Sequence, residues 1–164
     1  MEITRTAPRR IGMAFFVCAL AYLAALLAAT GVGSLFRGLH PLYALLLADI
    51  AGTMVIYLAG RIFRNASFYD PYWSVAPLVI ALFWIFFYAS GDAVAARQII
   101  VTALVFIWGL RLTYNWARRW RGFSHEDWRY EDLRNKTGRW FWLVELMGIE
   151  MMPTFVVFLG CLSL

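Results

Sequence analysis

The chain has 164 residues, with 15 lysine and arginine residues against 10 aspartate and glutamate residues, a formal net charge of +5 at pH 7. Hydrophobic residues make up 62% of the chain, well above the roughly 45–50% of a soluble domain, and so short a chain has too little interior to bury them. An ordinary soluble domain is therefore excluded, and a helical integral membrane protein is indicated, because lipid offers no partner for a free backbone N–H.

Cysteine and histidine positions favour neither a disulfide nor a metal site. Cys18 and Cys161 lie in separate apolar runs and form no CxxC pair. His125 has no second histidine at the spacing of a metal site. We expect both cysteines to be small buried or lipid-facing residues and His125 to be an exposed residue at a helix start.

The first two apolar runs predict membrane spans, since about 20 apolar residues cross the hydrocarbon layer. Residues 1–10 form a basic arm, and residues 11–31 are long for a cleavable signal peptide, which favours a retained anchor. Pro41 is expected to begin the second span, residues 42–60, because its missing N–H costs nothing there. Asp49 lies near the middle of that span and should face the bundle, since a carboxylate in hydrocarbon is costly unless paired or protonated.

The third span is expected to follow a loop at residues 61–70. Asp70 and Pro71 have the residue types of an N-cap and a first helical position. The apolar run then continues to about Ser90.

The fourth span is predicted to begin near Gln98, after a turn of small residues at 91–97. Its continuation is polar, and five side chains recur there at the spacing of one helical face. These are Arg111, Tyr114, Asn115, Arg118 and Arg119.

A short helix outside the hydrocarbon layer is predicted between the fourth and fifth spans. Ser124, with Asp127 three residues later, resembles a capping box, and Gly138 is a plausible stop. Asp127, Tyr130 and Arg134 would then share one face.

The fifth span, residues 140–164, contains two carboxylates and a proline. Pro153 should free the carbonyl of Ile149 and kink the helix. Glu145 and Glu150, together with Asp49, are candidate proton donors, because intramembrane ionisable residues mark functional sites.

Five spans place the basic arm, residues 61–70 and residues 111–139 on one side of the membrane. That side collects 13 of the 15 lysine and arginine residues, so the positive-inside rule predicts that it is cytoplasmic, as is the amino terminus. We therefore predict an all-α, polytopic transmembrane bundle of five spans that forms a single domain over residues 1–164.

Residues 111–139 carry eight of the basic residues and four of the acidic ones. The arginines could hold a helix end at anionic lipid headgroups. The admixture of acids instead favours a dinucleotide site, in which arginines grip phosphates and carboxylates or amides bind ribose or carboxamide. A Gly-x-Gly-x-x-Gly motif is absent from the sequence, so a Rossmann manner of binding is not predicted. The concentration of charge in one segment also favours lipid over nucleic acid as its surroundings.

Three sequence segments together resemble the bacterial DUF1295 branch of the steroid 5-alpha-reductase family. They are residues 64–74 (RNASFYDPYWS), 108–113 (WGLRLT) and 125–134 (HEDWRYEDLR). The resemblance implies a bacterial inner-membrane enzyme of seven spans that uses NADPH to reduce a carbon–carbon double bond conjugated to a ketone in a steroid-like or other lipid.

The resemblance also implies roles for individual residues. Asp127 and Arg134 match family positions that contact the cofactor, and Arg111 resembles an arginine at the end of the preceding span. Phe123 stands where relatives have an asparagine. The cofactor candidates are Arg111, Asn115, Asp127, Tyr130 and Arg134. An acid–tyrosine pair is implied for the ketone, and its candidates here are Asp70, Tyr72 and Glu145.

Two other functions stay open at this point. Family members continue with a cofactor motif resembling R-H-P-x-Y-x-G-E, which this sequence lacks, so we expect an amino-terminal portion of a longer enzyme. A non-catalytic membrane subunit or remnant is one alternative. A membrane methyltransferase of the isoprenylcysteine type, which would bind S-adenosylmethionine, is another.

Overall fold

The computed structural model describes residues 6–88 and 95–163, and within these ranges the chain is helical, without a β-strand. The elements are α1 (Thr6–Leu35), α2 (Pro41–Phe63), α3 (Tyr72–Tyr88), α4 (Ala95–Arg119), α5 (Trp128–Thr137), α6 (Phe141–Val144), a π-helical segment (Glu145–Met151) and α7 (Met152–Gly160). Five helical stretches in the described ranges are long and apolar enough to cross a membrane: Arg10–Leu35, Pro41–Phe63, Ala66–Phe87, Ala96–Arg119 and Trp128–Gly160. The prediction of an all-α, five-span membrane bundle is confirmed.

Helix α2 begins at Pro41, as predicted, and His40 accepts a hydrogen bond from the Leu42 N–H at its start. It ends at Phe63, three residues beyond the predicted end at Gly60. There Arg64 adopts the left-handed conformation (φ 53°) and donates its N–H to the Gly60 carbonyl. A loop over all of residues 61–70 was therefore a wrong prediction. Asp49 is 7% exposed, so the expectation that it faces the bundle is confirmed.

Helix α3 begins at Tyr72, and Asp70 is not its N-cap. The Pro71 carbonyl accepts the first helical hydrogen bond, from Val75 N–H. The Asp70 carboxylate instead accepts a hydrogen bond from the Tyr130 hydroxyl, a long-range partner that local sequence did not reveal. Residues 89–94, which include the predicted end of this span at Ser90 and most of the turn at 91–97, lie outside the described residues.

Helices α3 and α4 approach closely where Gly109 faces α3. A Cβ at Gly109 would lie 2.5 Å from the Ser74 carbonyl oxygen and 2.9 Å from a Leu78 methyl carbon. The Ser74 and Thr113 hydroxyls are hydrogen-bonded at 3.0 Å across the same contact. The contact joins two of the sequence segments singled out above.

Helix α5 begins at Trp128 with Asp127 as its N-cap, so the predicted start at Ser124 is wrong. The Asp127 carboxylate accepts from the Arg129 N–H at 2.9 Å, whereas Ser124 lies in a turn that follows Gly122 (φ 85°). The predicted stop at Gly138 is confirmed, since this residue has φ 52° and its N–H bonds to a carbonyl of the last helical turn.

The last span changes helical form near its carboxylates. The π-helical segment contains Glu145 and Glu150 and ends directly before α7, whose second residue is Pro153. At its end, Met152 donates its N–H to the carbonyl of Met147, five residues back. A π-helical segment thus precedes the proline, a form often found at functional sites, and the kink expected at Pro153 stays a prediction.

Residues 61–70 and 111–139, two of the three basic segments, meet at one end of the bundle, beside α1. The Asn65 amide donates to the carbonyls of Phe123 and His125 at 3.2 and 3.0 Å. A Cβ at Gly122 would lie 3.1 Å from the Ala14 side chain of α1. This contact agrees with a common side for residues 61–70 and 111–139, and the side of the amino terminus and the cytoplasmic orientation stay predictions.

Candidate functional site

A cavity of about 680 Å³ lies at this end of the bundle, a volume in the range of small-molecule and cofactor sites. Its polar lining comes from the turn before α3, from α4, and from α5 with the segment that leads into it. It includes Ser67, Asp70, Asn115, Arg119, His125, Asp127, Arg129 and Tyr130. Its apolar lining comes from the last span and includes Ile149, Met152, Pro153, Val156 and Val157. The site therefore has one charged wall and one lipid-like wall.

Asn65 organises the backbone beside the cavity. It is fully buried, its side-chain oxygen Oδ1 accepts from the Ser67 N–H, and its side-chain amide nitrogen donates to the Phe123 and His125 backbone carbonyls. Sequence reasoning did not select Asn65. Its signal was its place in the segment 64–74, one of the three on which the family resemblance depends.

Glu126 ties α5 to the turn that precedes α3. Its carboxylate accepts from the Ala66 N–H at 2.7 Å and from the Arg134 guanidinium at 2.8 and 3.0 Å. The same guanidinium lies 4.5 Å from the centre of the Phe141 ring. Arg134, a predicted cofactor residue, thus holds the wall of the site together and is not among the residues that line the cavity.

Asp127 and Arg129 form a bidentate ion pair on the cavity wall, at 2.8 and 2.9 Å. These hydrogen bonds from Arg129 hold the pKa of the Asp127 carboxyl below its usual range. The Asp127 N–H also donates to the Ser67 hydroxyl at 3.1 Å. Asp127 is therefore ionised. Its side chain caps the start of α5, and its backbone N–H is bonded to Ser67 in the turn before α3.

Asp70 and Tyr130 also meet in this cavity. The Tyr130 hydroxyl donates to the Asp70 carboxylate at 2.5 Å, and both residues line the cavity. They come from two different sequence segments, 60 residues apart in the chain. The structure thus brings a predicted substrate residue and a predicted cofactor residue into one pair.

The other candidate residues lie elsewhere. Arg111 is exposed at the polar end of α4 and does not line the cavity. Glu145 is 1% exposed and forms an ion pair with Arg61 at 3.1 Å. Tyr72 donates to the Asp49 carboxylate at 2.9 Å. Of the three substrate candidates, only Asp70 lines the large cavity.

Asp49 and Tyr72 line a second cavity of about 90 Å³, whose other lining residues are mainly apolar side chains of α1, α2 and α3. The second Asp49 carboxylate oxygen is buried and has no hydrogen-bond partner in the described part of the chain. The Tyr69 ring, which lines the large cavity, has its centre 5.5 Å from that of Tyr72. The two cavities are therefore neighbours, with Tyr69 beside their boundary.

Arg119 differs from the other basic residues of the cavity. In residues 6–88 and 95–163 it takes part in none of the salt bridges, whereas Arg129 is paired with Asp127. An exposed guanidinium on a cavity wall without an internal counter-ion has its donors available for an anionic ligand.

Comparison with known proteins places these features in a family. A family model described as "Protein of unknown function (DUF1295)" matches residues 56–164, which include all three sequence segments of the site. An uncharacterized protein of the fission yeast Schizosaccharomyces pombe is 27% identical over 103 residues, which cover 57% of this chain and 29% of the relative. The chain thus spans less than a third of that relative's length, and no solved structure matches it. Since the family model covers well over half of the sequence, the chain belongs to the DUF1295 family.

Proposed function

We propose that this chain is part of a membrane oxidoreductase that uses NADPH to reduce a carbon–carbon double bond conjugated to a carbonyl in a steroid-like or other lipid. The observation that supports this proposal best is the large cavity, which joins a charged wall to an apolar one. A phosphorylated coenzyme requires the first kind of surface, and a lipid substrate requires the second.

The residues of the charged wall fit the coenzyme. Arg119 offers a guanidinium without an internal counter-ion among the described residues, and guanidinium donors match phosphate oxygens in bidentate geometry. The Asn115 amide, on the same cavity wall, can both donate to and accept from a carboxamide or a ribose. When bound, the nicotinamide supplies the hydride.

Two acid–tyrosine pairs are available for the carbonyl. Asp70 and Tyr130 belong to the charged wall, which suits the coenzyme side of the cavity. Tyr72 and Asp49 border the apolar cavity beyond Tyr69. We assign the carbonyl to the Tyr72–Asp49 pair, because the second Asp49 carboxyl oxygen is buried without a partner among the described residues and can donate to a carbonyl oxygen when it carries a proton. The pair would orient the carbonyl and stabilise the enolate formed after hydride addition.

The test is a fluorescence titration of the purified protein in nanodiscs with NADPH. Saturable binding is expected, and Arg119→Gln should weaken it by about tenfold or more, the equivalent of one charge-assisted hydrogen bond. Arg121→Gln is the matched control, since Arg121 is exposed in the same segment but does not line the cavity. Absence of saturation at millimolar NADPH would contradict the proposal and favour a non-catalytic membrane protein, whereas saturation by S-adenosylmethionine instead would favour a methyltransferase.

A further inference from the structure

Five buried side chains form a continuous row between the two cavities. The Tyr69 and Thr154 hydroxyls are 2.7 Å apart, and the Thr154 and Thr53 hydroxyls are 2.9 Å apart. The Thr53 side chain is also a polar neighbour of the Tyr72 hydroxyl, which donates to the Asp49 carboxylate at 2.9 Å. This row, the hydroxyl chain, takes Asp49 and Thr53 from α2, Thr154 from α7, Tyr72 from the start of α3 and Tyr69 from the turn before α3.

The hydroxyl chain has different surroundings at its two ends. Tyr69 lines the large cavity, whose wall is charged and exposed. Tyr72 and Asp49 line the small apolar cavity. Between them, Thr53 and Thr154 are 0% and 2% exposed, so bulk water does not reach the middle of the row.

Gly52 of α2 leaves the space in which the Tyr72 hydroxyl reaches Asp49. A Cβ at Gly52 would collide with the Tyr72 hydroxyl, which sits against the α2 backbone and bonds to both the carbonyl and the carboxylate of Asp49. A glycine is therefore required at this position for α2 to accept the tyrosine. The close approach is independent evidence that the geometry of this contact is specific.

The chemistry of the row suits proton movement. A hydroxyl can donate and accept at the same time, and in both Tyr69–Thr154 and Thr53–Thr154 either oxygen can be the donor. The row ends at a carboxylate whose second oxygen is buried without a partner in the described part of the chain. We propose that the hydroxyl chain conducts a proton between the large cavity and Asp49.

Each transfer conserves atoms and charge. Tyr69, which is itself only 1% exposed, takes a proton from a proton donor in the large cavity that it lines and releases its own proton to Thr154, and the shift repeats through Thr53 and Tyr72. One proton then arrives on the Asp49 carboxylate, and no bond between heavy atoms forms or breaks. The reverse shift returns the proton and resets the row.

The groups that face Asp49 from its neighbours are few among the described residues. Tyr72 and Tyr69 lie on the α3 side, Tyr22 of α1 lines the same small cavity, and Cys161 follows α7. The buried Glu150 carboxylate of the π-helical segment lies within electrostatic range of Tyr69, at the other end of the row. The phenols and the thiol stay neutral near pH 7 unless their surroundings activate them, so Asp49 and Glu150 are the carboxyl groups of this cluster, and the Asp49→Asn variant distinguishes between them.

The inference goes beyond the proposed function and does not require NADPH or a substrate. Its test is infrared spectroscopy of the protein in nanodiscs. Acidification should produce a protonated-carboxyl band that Asp49→Asn removes, and transfer to D₂O should shift this band with a measurable rate. NADPH titration of the same samples keeps a failure here separate from a failure of the proposed coenzyme binding.

Thr154→Val replaces the hydroxyl with a methyl group of similar size and should slow the exchange about a hundredfold or more, the lower end of what a positioned proton-transfer group contributes. Thr154→Ser, which retains the hydroxyl, should restore most of the rate. Tyr57→Phe is the matched control, because the buried Tyr57 hydroxyl bonds to the Trp142 carbonyl outside the row.

Several results would overturn the proposal. One is a Thr154→Val protein that remains folded and exchanges at the wild-type rate. Another is equal slowing in Tyr57→Phe or in Thr154→Ser, which would indicate a general change in packing. If Thr154→Val does not fold, Tyr69→Phe at the mouth of the row decides the question, with slowed exchange supporting the proposal and unchanged exchange refuting it.

Discussion

Replacement of Glu126 by alanine tests whether the walls of the large cavity are held together as the structure indicates. The Glu126 side chain is 10% exposed, and it bonds to the N–H of Ala66, a residue that is fully buried. It also pairs with Arg134, whose side chain is 35% exposed. The alanine variant therefore leaves one buried backbone donor and one half-buried guanidinium without their acceptor.

The expected loss follows from these two contacts. A hydrogen bond from the buried N–H to a charged acceptor contributes about 1.5–3 kcal/mol. The ion pair adds up to about 1 kcal/mol, because Arg134 is partly screened by solvent. We expect Glu126→Ala to lower the free energy of unfolding by about 2–4 kcal/mol. Glu126→Gln, which keeps an acceptor for Ala66, should lose roughly half of this.

The assay is unfolding of the purified protein in mixed micelles by titration with SDS, followed by circular dichroism. Asp132→Asn serves as the control, because Asp132 pairs with Lys136 on the exposed face of α5, where the side chains are 48% and 69% exposed. That substitution should change the stability by less than about 0.5 kcal/mol. A Glu126→Ala loss no larger than the Asp132→Asn loss would refute the role assigned to Glu126.

Three further predictions concern other contacts. Gly109→Ala should destabilise the protein by about 1–3 kcal/mol through collision with α3, whereas Gly12→Ala, with open space around it, should not; thermal unfolding midpoints would show the difference. Arg61→Gln leaves the buried Glu145 carboxylate unpaired and should cost about 2–3 kcal/mol, and a Glu145→Gln second substitution should recover part of it in a double-mutant cycle. Because the pKa of Asp127 is lowered in the fold, its stabilising effect is complete above the unfolded value of about 3.9 and disappears as the pH falls through the lower folded value. Asp127→Asn, which keeps the N-cap, should remove this acid dependence in unfolding curves recorded over a pH series, and an unchanged dependence would assign it to another carboxyl.

Sequence patterns were most reliable where a local rule decides the structure. The start of α2 at Pro41 and the end of α5 at Gly138 follow from the backbone limits of proline and glycine, and both were predicted. The polar face at the end of α4 followed from helical spacing alone. Prediction failed where a nearby residue competed for the same role. Asp127, not Ser124, caps α5, because its carboxylate reaches both the backbone N–H and the guanidinium of Arg129.

The sequence predicted which segments form the candidate site. It did not predict which side chains of those segments contact one another. The resemblance selected residues 64–74, 108–113 and 125–134, and the structure gathers all three at one end of the bundle. Asp70 was expected to cap a helix, yet its carboxylate is bonded to Tyr130 in a distant segment. Tyr72 was predicted as a substrate residue, but the sequence did not indicate that Asp49 is its acidic partner.

Sequence by itself determined that this is a helical membrane protein of five spans, because hydrocarbon admits only long apolar helices and their length and composition can be read along the chain. Tertiary structure decided which polar groups meet: Asp49 with Tyr72, Tyr69 with Thr154, and Glu126 with the Ala66 backbone. Those partners are separated by 23, 85 and 60 residues, and helical periodicity relates only neighbouring turns. The pairings and the two cavities arise because docking of whole helices buries these groups together, where each must find a partner.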